Sequence, residues 1–317
     1  PLVSVGLIGC TGHKPAGGAG MSETITATTT SSAKWQATGL AVHQASDVTD
    51  TNIEIQADVV IVGSGAGGAV SAYELARRGF KVVVLEAGAY VPSKDFTERF
   101  SESLGTLYQD HGAQTNSSGD LLVLQGACVG GSTVVNGCVC FRTPDFILQD
   151  WQRDFGLSDL TTAELTPYFE EVEKNLSVDD NGEHEIPHHS RLIRAGANRL
   201  GWSVKPLKRN IRQCGLTGHC LSGCKTERKQ SMLVTYLPWA AAHGAQIYAD
   251  TRVDKILTEN GKASGVNATV THRDGTVAAR MTVTAPRVVV AAGAVQTPLL
   301  MLKSALGNRS GQVGKNF

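Results

Sequence analysis

The 317-residue chain has no excess of either charge: 29 lysines and arginines stand against 29 aspartates and glutamates, and charged residues are only 18% of the whole. Without a basic field it lacks the electrostatic footprint of a nucleic-acid binder or of a protein held on an anionic membrane surface. No uninterrupted apolar run approaches the roughly 20 residues of a membrane-spanning helix. Aromatic residues are sparse at 6%, and none of the nine histidines falls into a recognisable nucleophile triad.

What the chain has in quantity is glycine, 35 residues, roughly 11% where about 7% is usual, without the G-X-Y period of collagen. Such glycine serves turns and the close approach of backbone to ligand. The chain opens at Pro1 and stops at Phe317 inside Gly-Lys-Asn-Phe, an expectation of a fragment whose C-terminal part is missing. Leu7-Ile-Gly-Cys10 is similar to a bacterial lipoprotein signal, in which the cysteine is acylated. A lipid anchor and a periplasmic or membrane-anchored location follow if Cys10 is that residue, and a cytoplasmic location otherwise. Residues 1–51, rich in Gly, Ala, Ser and Thr without periodicity, read as a flexible leader.

Ala57-Asp-Val-Val-Ile-Val62 is a β-branched run suited to a buried parallel strand. Gly63-Ser-Gly65-Ala-Gly-Gly68 follows directly, then a segment with Ala69, Ala72 and Ala76 at helical spacing and Gly79 placed to end it. A second apolar run, Lys81–Leu85, closes at Glu86, 18 residues past Gly68. In this strand–turn–helix–strand–acid context the glycine string is a dinucleotide fingerprint. Gly63 permits the tight turn, Gly65 the approach of a pyrophosphate, Gly68 close helix–strand packing, and Glu86 accepts from ribose hydroxyls. The helix N-terminus adds free N–H groups and a positive dipole end.

The continuation does not alternate strands and helices as a simple NAD domain does. An irregular polar stretch, Val91 to Asp120, leads to a second glycine-rich element, Gly126 to Gly137; far downstream a strand, Arg287 to Gly293, again closes in glycine. A site assembled from segments as far apart as Gly63 and Gly293 suits FAD, whose flavin needs a second cradle. Between them Gln246–Leu257, Gly265–Arg273 and Val277–Thr284 alternate as strands, joined by Glu259-Asn-Gly and Arg273-Asp-Gly turns.

At these residues the chain resembles the N-terminal part of the glucose–methanol–choline (GMC) flavin oxidoreductases, from about Ala57 to Phe317. Gly130-Gly131-Ser132-Thr133-Val-Val-Asn136-Gly137 is similar to the family's first signature, and Gly293-Ala-Val-Gln-Thr297-Pro298 through Ser304 to its second. Trp151, Glu164–Phe169 and Arg209-Asn210 also fall where the family has similar residues. The resemblance implies FAD, with Gly130, Gly131, Ser132 and Asn136 against the flavin and pyrophosphate and Val253 beside the adenine through its backbone. It implies a glutathione-reductase-like α/β fold, in which a Rossmann βαβ unit and a β-meander make a discontinuous FAD-binding domain of residues 52–144 and 245–317. Residues 145–244 would form an α+β cap, the start of a substrate domain. The implied reaction is oxidation of a CH–OH group in an alcohol, sterol or sugar by hydride transfer to flavin, with a quinone or cytochrome as acceptor where dioxygen is not. The resemblance implies that the catalytic pair belongs to a C-terminal region beyond these residues, so no catalytic residue is assigned. Ala127-Cys128 stand where several members carry the Arg or His of the loop, which gives no support to flavin attachment through His. The alternatives are an NAD-linked dehydrogenase and a truncated, non-catalytic flavin-binding protein.

Seven cysteines are present, at 10, 128, 138, 140, 214, 220 and 224. Cys214, Cys220 and Cys224 are spaced C-x5-C-x3-C on a glycine-containing loop, and thiolates so crowded suit a three-iron iron–sulfur cluster or, with His219, zinc. The spacing is similar to that of cluster-bearing GMC dehydrogenase subunits. GMC members similar to long-chain alcohol and sterol oxidases carry a Cys-rich loop here with no metal implied, so both readings stand. Cys138 and Cys140, two apart, share a side as core thiols if Asn136–Phe141 is extended. Asp145–Leu176 reads as two amphipathic helices, and Glu183-His184 with His188-His189 as exposed loop in a proline-containing segment.

Overall fold

Two apolar runs, Val59–Val62 and Val82–Leu85, are buried at every position in the computed structural model, which describes residues 40–316. Alternation along each strand decides what its side chains meet. Val59, Ile61, Val82 and Val84 pack in one cluster with Ala69, Ala72, Ala76, Tyr236, Leu237 and Ile247. Val60, Val62, Val83 and Leu85 pack in another with Ile256, Val266, Met281 and Leu300. Strands covered on both faces have no position left for a polar residue.

The first elements are β1 (Asn52–Gln56), β2 (Val59–Val62), α1 (Ala66–Ala76), β3 (Val82–Leu85) and α2 (Phe100–Leu107). An outlying region holds α3 (Asp145–Phe155), α4 (Thr162–Asn175), β4 (Val178–Asp180), α5 (His188–Arg199) and β5 (Lys208–Asn210). The chain returns through α6 (Tyr236–Ala242), β6 (Gln246–Tyr248), β7 (Thr251–Glu259), β8 (Lys262–Thr271), β9 (Val277–Thr284), β10 (Val288–Val290) and α7 (Gly293–Lys303). A parallel sheet runs β10-β2-β3-β6, and a second sheet runs β1-β9-β8-β7, in which only β1 and β9 are parallel. β4 and β5 form a small antiparallel pair. Among the described residues no helix is long and apolar enough to cross a membrane.

Much of this follows from local sequence. Ala69, Ala72 and Ala76 are buried, and their small side chains let α1 lie close on the sheet and beside α6. The Asn260-Gly261 pair takes positive φ at both positions, 51° and 75°, as a tight hairpin between β7 and β8 requires. Thr161 caps α4, its hydroxyl accepting the Glu164 N–H at 3.1 Å.

Three expectations are corrected. Residues 40–51 are packed rather than a free leader: Leu40 and Ala45 are buried, one in each cluster, and the His43 ring stacks on Tyr248 at 4.5 Å. Cys10 and its anchor lie outside the described residues. The single strand expected over 246–257 is two, because Asp250 takes a left-handed conformation (φ 54°) and carries the chain from the parallel sheet into the meander. Residues 232–244, assigned to the cap, instead belong to the core under α1, where Tyr73, Tyr236 and Trp239 meet edge-on or tilted at 5.0–5.7 Å.

Leu237 is 0% exposed. Leu237→Ala is expected to lower unfolding free energy by about 2–5 kcal/mol, whereas Leu192→Ala on exposed α5 stays within about 0.5 kcal/mol. Urea denaturation of both variants checks this.

Candidate dinucleotide site

At the carboxyl end of β2 the backbone turns sharply. Gly63 has φ 97°, its N–H donates to the Leu85 carbonyl at 2.8 Å, and the Ala291 N–H donates to the Val62 carbonyl at 2.8 Å. A β-carbon on Gly63 would lie 2.5 Å from the Ala291 oxygen, and one on Gly68 only 1.9 Å from the Gly63 oxygen. Gly65 is different, because a β-carbon there meets no protein atom within 4 Å. The crowded glycines serve the fold, while the open one faces free space at the start of α1. No side chain caps that helix, which leaves its first-turn N–H groups for an anion.

The second glycine-rich element closes on the first. A β-carbon on Gly131 would lie 2.9 Å from Gly65 Cα. The Gly126 N–H donates to Ser132 Oγ at 3.0 Å, and the Val129 N–H to the Ala89 carbonyl at 3.0 Å, which holds the loop against the end of β3. Gly293 (φ 83°) opens α7 on the β10 side, with Gln125 against it. Gln125 Oε1 is buried and has no protein partner among the described residues. The site therefore lies outside the carboxyl ends of β10, β2 and β3, where open α/β sheets take their ligands.

Ser64, to which the glycine fingerprint gives no role, joins the two halves. Its hydroxyl donates to Glu86 Oε2 at 2.6 Å and accepts the Gly130 N–H at 2.9 Å. Glu86, 7% exposed, also accepts from the Ser64 and Gly88 N–H groups, each at 2.9 Å. Burial pushes the Glu86 carboxyl above the usual carboxylate range, and these donors hold it back. Glu86 N–H and carbonyl pair with Tyr248 and Thr251, each at 2.8 Å, which brings the β6–β7 junction alongside. Val253 follows two residues along β7, paired with Ala268 and packed against the second cluster.

Gly63, Gly65, Gly68, Glu86, Gly130, Gly131 and Gly293 are thus gathered in one place. Ser132 is exposed beside Gly126. Asn136 is exposed at the far end of its loop; its side chain accepts the Cys138 N–H at 3.1 Å and its carbonyl takes Lys229 Nζ at 3.0 Å. A cradle with one open glycine, uncapped helix N–H groups, a buried carboxylate and an unpaired amide oxygen fits the phosphates and sugar of a dinucleotide.

The metal site is not borne out. Among the described residues no three His, Cys, Asp or Glu side chains gather as a metal would require. Cys214, Cys220 and Cys224 have separate surroundings. Cys214 Sγ accepts from Leu216 N–H within its own loop, Cys220 Sγ from Arg209 Nη2, and Cys224 Sγ from Lys229 N–H, each at 3.4 Å. Gln213, Leu216 and Gly218 take left-handed conformations in this loop. Cys138 is left-handed too (φ 65°), so the extended run expected through Cys140 is broken. His184-Glu185-Ile186-Pro187-His188 spells H-E-x-x-H, but Pro187 precedes α5 and the two imidazoles do not share a helix; His188 and His189 are exposed in its first turn, not in a loop.

Three substitutions separate fold from ligand. Gly68→Ala is expected to destabilise by about 3 kcal/mol or more through its clash, and Ser64→Ala by about 1–3 kcal/mol through lost buried hydrogen bonds. Gly65→Ala keeps stability within about 0.5 kcal/mol but weakens FAD binding about tenfold or more. Denaturant melts and flavin-fluorescence titrations read both quantities.

A family model described as GMC oxidoreductase matches residues 104–317, and one described as NAD(P)-binding Rossmann-like domain matches residues 61–120. The chain is 35% identical over 272 residues to a long-chain-alcohol oxidase of Arabidopsis thaliana, covering 84% of this chain and 36% of the relative. It is 38% identical over 264 residues to a GMC-type oxidoreductase of Mycobacterium tuberculosis, covering 83% and 41%. Among solved structures its fold is similar to formate oxidase (TM-score 0.58, 16% identity, 80% of this chain and 48% of that one). It is similar also to pyridoxine 4-oxidase from Mesorbium loti (TM-score 0.55, 20% identity, 79% and 52%). The chain spans between about a third and a half of the length of the relatives it matches. The family match covers most of the chain and takes in the second glycine-rich loop, and the chain belongs to the GMC oxidoreductase family of flavoproteins.

Proposed function

We propose that this chain holds FAD and forms the cofactor-binding part of an enzyme that oxidises the CH–OH group of an alcohol by hydride transfer to the flavin. The observation that carries this reading is the open position at Gly65, overlooked by Gly131 and by the uncapped N-terminus of α1. When bound, FAD supplies the two-electron acceptor that side chains lack. The first-turn N–H groups of α1 would take the pyrophosphate, as helix N-termini do. Glu86, already oriented by Ser64 and Gly88, has lone pairs left for ribose hydroxyls. The Gly130–Asn136 loop and Gly293 would lie on the flavin side, and Val253 beside the adenine. No catalytic base is assigned among the described residues.

An alcohol substrate draws support from relatives named long-chain-alcohol oxidases. An NAD-linked reading draws on the Rossmann-like match over residues 61–120. The second cradle, built from Gly130–Gly131 and Gly293 far from the first in sequence, favours FAD.

On the full-length protein, flavin absorption bands are expected, and anaerobic addition of a primary long-chain alcohol should bleach them. Readmitting dioxygen, a quinone or a cytochrome then identifies the acceptor by the return of colour. A colourless protein that takes up no added FAD and reduces NAD with alcohol overturns the proposal. Flavin bands that no alcohol bleaches would leave a carrier rather than an enzyme.

A further inference from the structure

One arrangement in the Cys-rich segment serves neither the dinucleotide cradle nor a metal. Cys220 is half-buried at the start of a turn, Cys220–Ser222, and its thiol and that of Cys138 are close enough to act on one another electrostatically. Cys138 is 0% exposed and lies just beyond the Gly130–Asn136 loop. Two backbone staples hold these segments side by side. Lys229, itself 2% exposed, donates through Nζ to the carbonyls of Cys220 at 2.7 Å and Asn136 at 3.0 Å. Tyr108 places its hydroxyl 2.6 Å from the Leu221 carbonyl and 3.3 Å from that of Val135. Arg209 Nη2 reaches Cys220 Sγ at 3.4 Å.

We propose that Cys220 and Cys138 form an oxidisable dithiol, a modification site whose substrate is a hydroperoxide, with Cys220 as the attacking thiol and Cys138 as the resolving one. The charged groups facing the pair are Arg209 and Lys229, and Cys214 and Cys224 are the other thiols within their field. The neighbouring Cys138 thiol holds the Cys220 thiol below its ordinary range against the effect of burial, with Arg209 and Lys229 assisting. Cys138 is held above it by the Cys220 thiol and by burial. An accessible thiolate beside cations with a second thiol behind it is the arrangement that oxidises reversibly. Buried Cys128 has its thiol pushed up by burial, and Cys140 is also raised by burial, so neither competes.

The step balances. The Cys220 thiolate attacks the terminal peroxide oxygen; the S–O bond forms, the O–O bond breaks, and the departing alkoxide, or hydroxide from hydrogen peroxide, takes a proton to leave as an alcohol or as water. Cys138 then attacks the sulfenic sulfur; the S–S bond forms, the S–O bond breaks, and its proton leaves with the hydroxyl as water. The two sulfurs lose two electrons and the hydroperoxide gains them. A dithiol reductant reverses the bond. The product would tie the end of the Gly130–Asn136 loop covalently to the segment that buttresses it.

The test needs no bound flavin, so its failure is distinct from failure of the FAD reading. The full chain is treated with hydrogen peroxide, alkylated, digested and analysed by mass spectrometry. Two thiols lost per chain and a Cys138–Cys220 cross-link reversible by dithiothreitol are expected. Cys220→Ser should leave Cys138 reduced, Cys214→Ser and Cys224→Ser should keep the link, and Arg209→Met should slow its formation about tenfold. If Cys220→Ser fails to fold, fragment ions of the wild-type cross-linked peptide still tell Cys220 from Cys214 and Cys224. A bond from Cys138 to either of those, a Cys220 oxidised past the sulfenic acid with Cys138 free, or no thiol lost would overturn the proposal.

Discussion

Where β2 ends, three stretches of backbone meet with no room for a β-carbon between them. Gly63, the start of α1 at Gly68, and the return of the chain at Ala291 are in contact atom against atom. This closeness lets a helix begin directly over the strand that precedes it, and it brings β10 beside β2 although most of the chain separates them. It also leaves the α1 N-terminus clear, since no protein atom comes within 4 Å of a β-carbon at Gly65. The steric constraint that makes the turn is thus the same one that makes the ligand's space.

A short chain of buried hydrogen bonds converts that turn into a two-sided cradle. Ser64 passes one contact to Glu86 at the end of β3 and another to Gly130 on the second loop. Each group is buried enough that an unmet donor or acceptor would be expensive, so the network rigidifies the loops when complete. Glu86 shows the balance. Burial alone favours its neutral form, and three donors compensate by stabilising the charge.

On the opposite flank of the second loop, polar staples hold the Cys-rich segment in place. Lys229 and Tyr108 each bind one carbonyl from the loop and one from the Cys220–Ser222 turn, and Ser103 Oγ adds a bond to the Ser222 carbonyl at 3.2 Å. Desolvation pulls the ammonium of buried Lys229 below the usual range, and the neighbouring thiols act against that shift. Cations beside the sulfurs stabilise a thiolate without metal, and the thiols point to different neighbours rather than to a common centre.

The β2–α1–β3 unit, its glycine fingerprint and Glu86 were legible in the sequence because strand burial, helix spacing and turn sterics act over a few residues. The Asn260-Gly261 hairpin was legible for the same reason, since both residues tolerate positive φ. Other features had no local signal. The packing of Leu40 and Ala45, the membership of α6 in the core and the kink at Asp250 depend on partners far along the chain. Cysteine spacing named three thiols as neighbours, whereas in the folded chain Lys229 and Tyr108 hold the Cys220–Ser222 turn beside the Val135–Asn136 segment, some eighty residues away. The sequence by itself determined the turn that a dinucleotide needs. Only the tertiary structure decided what closes over it, because the bonds of Ser64 and Lys229 join segments that no local rule relates.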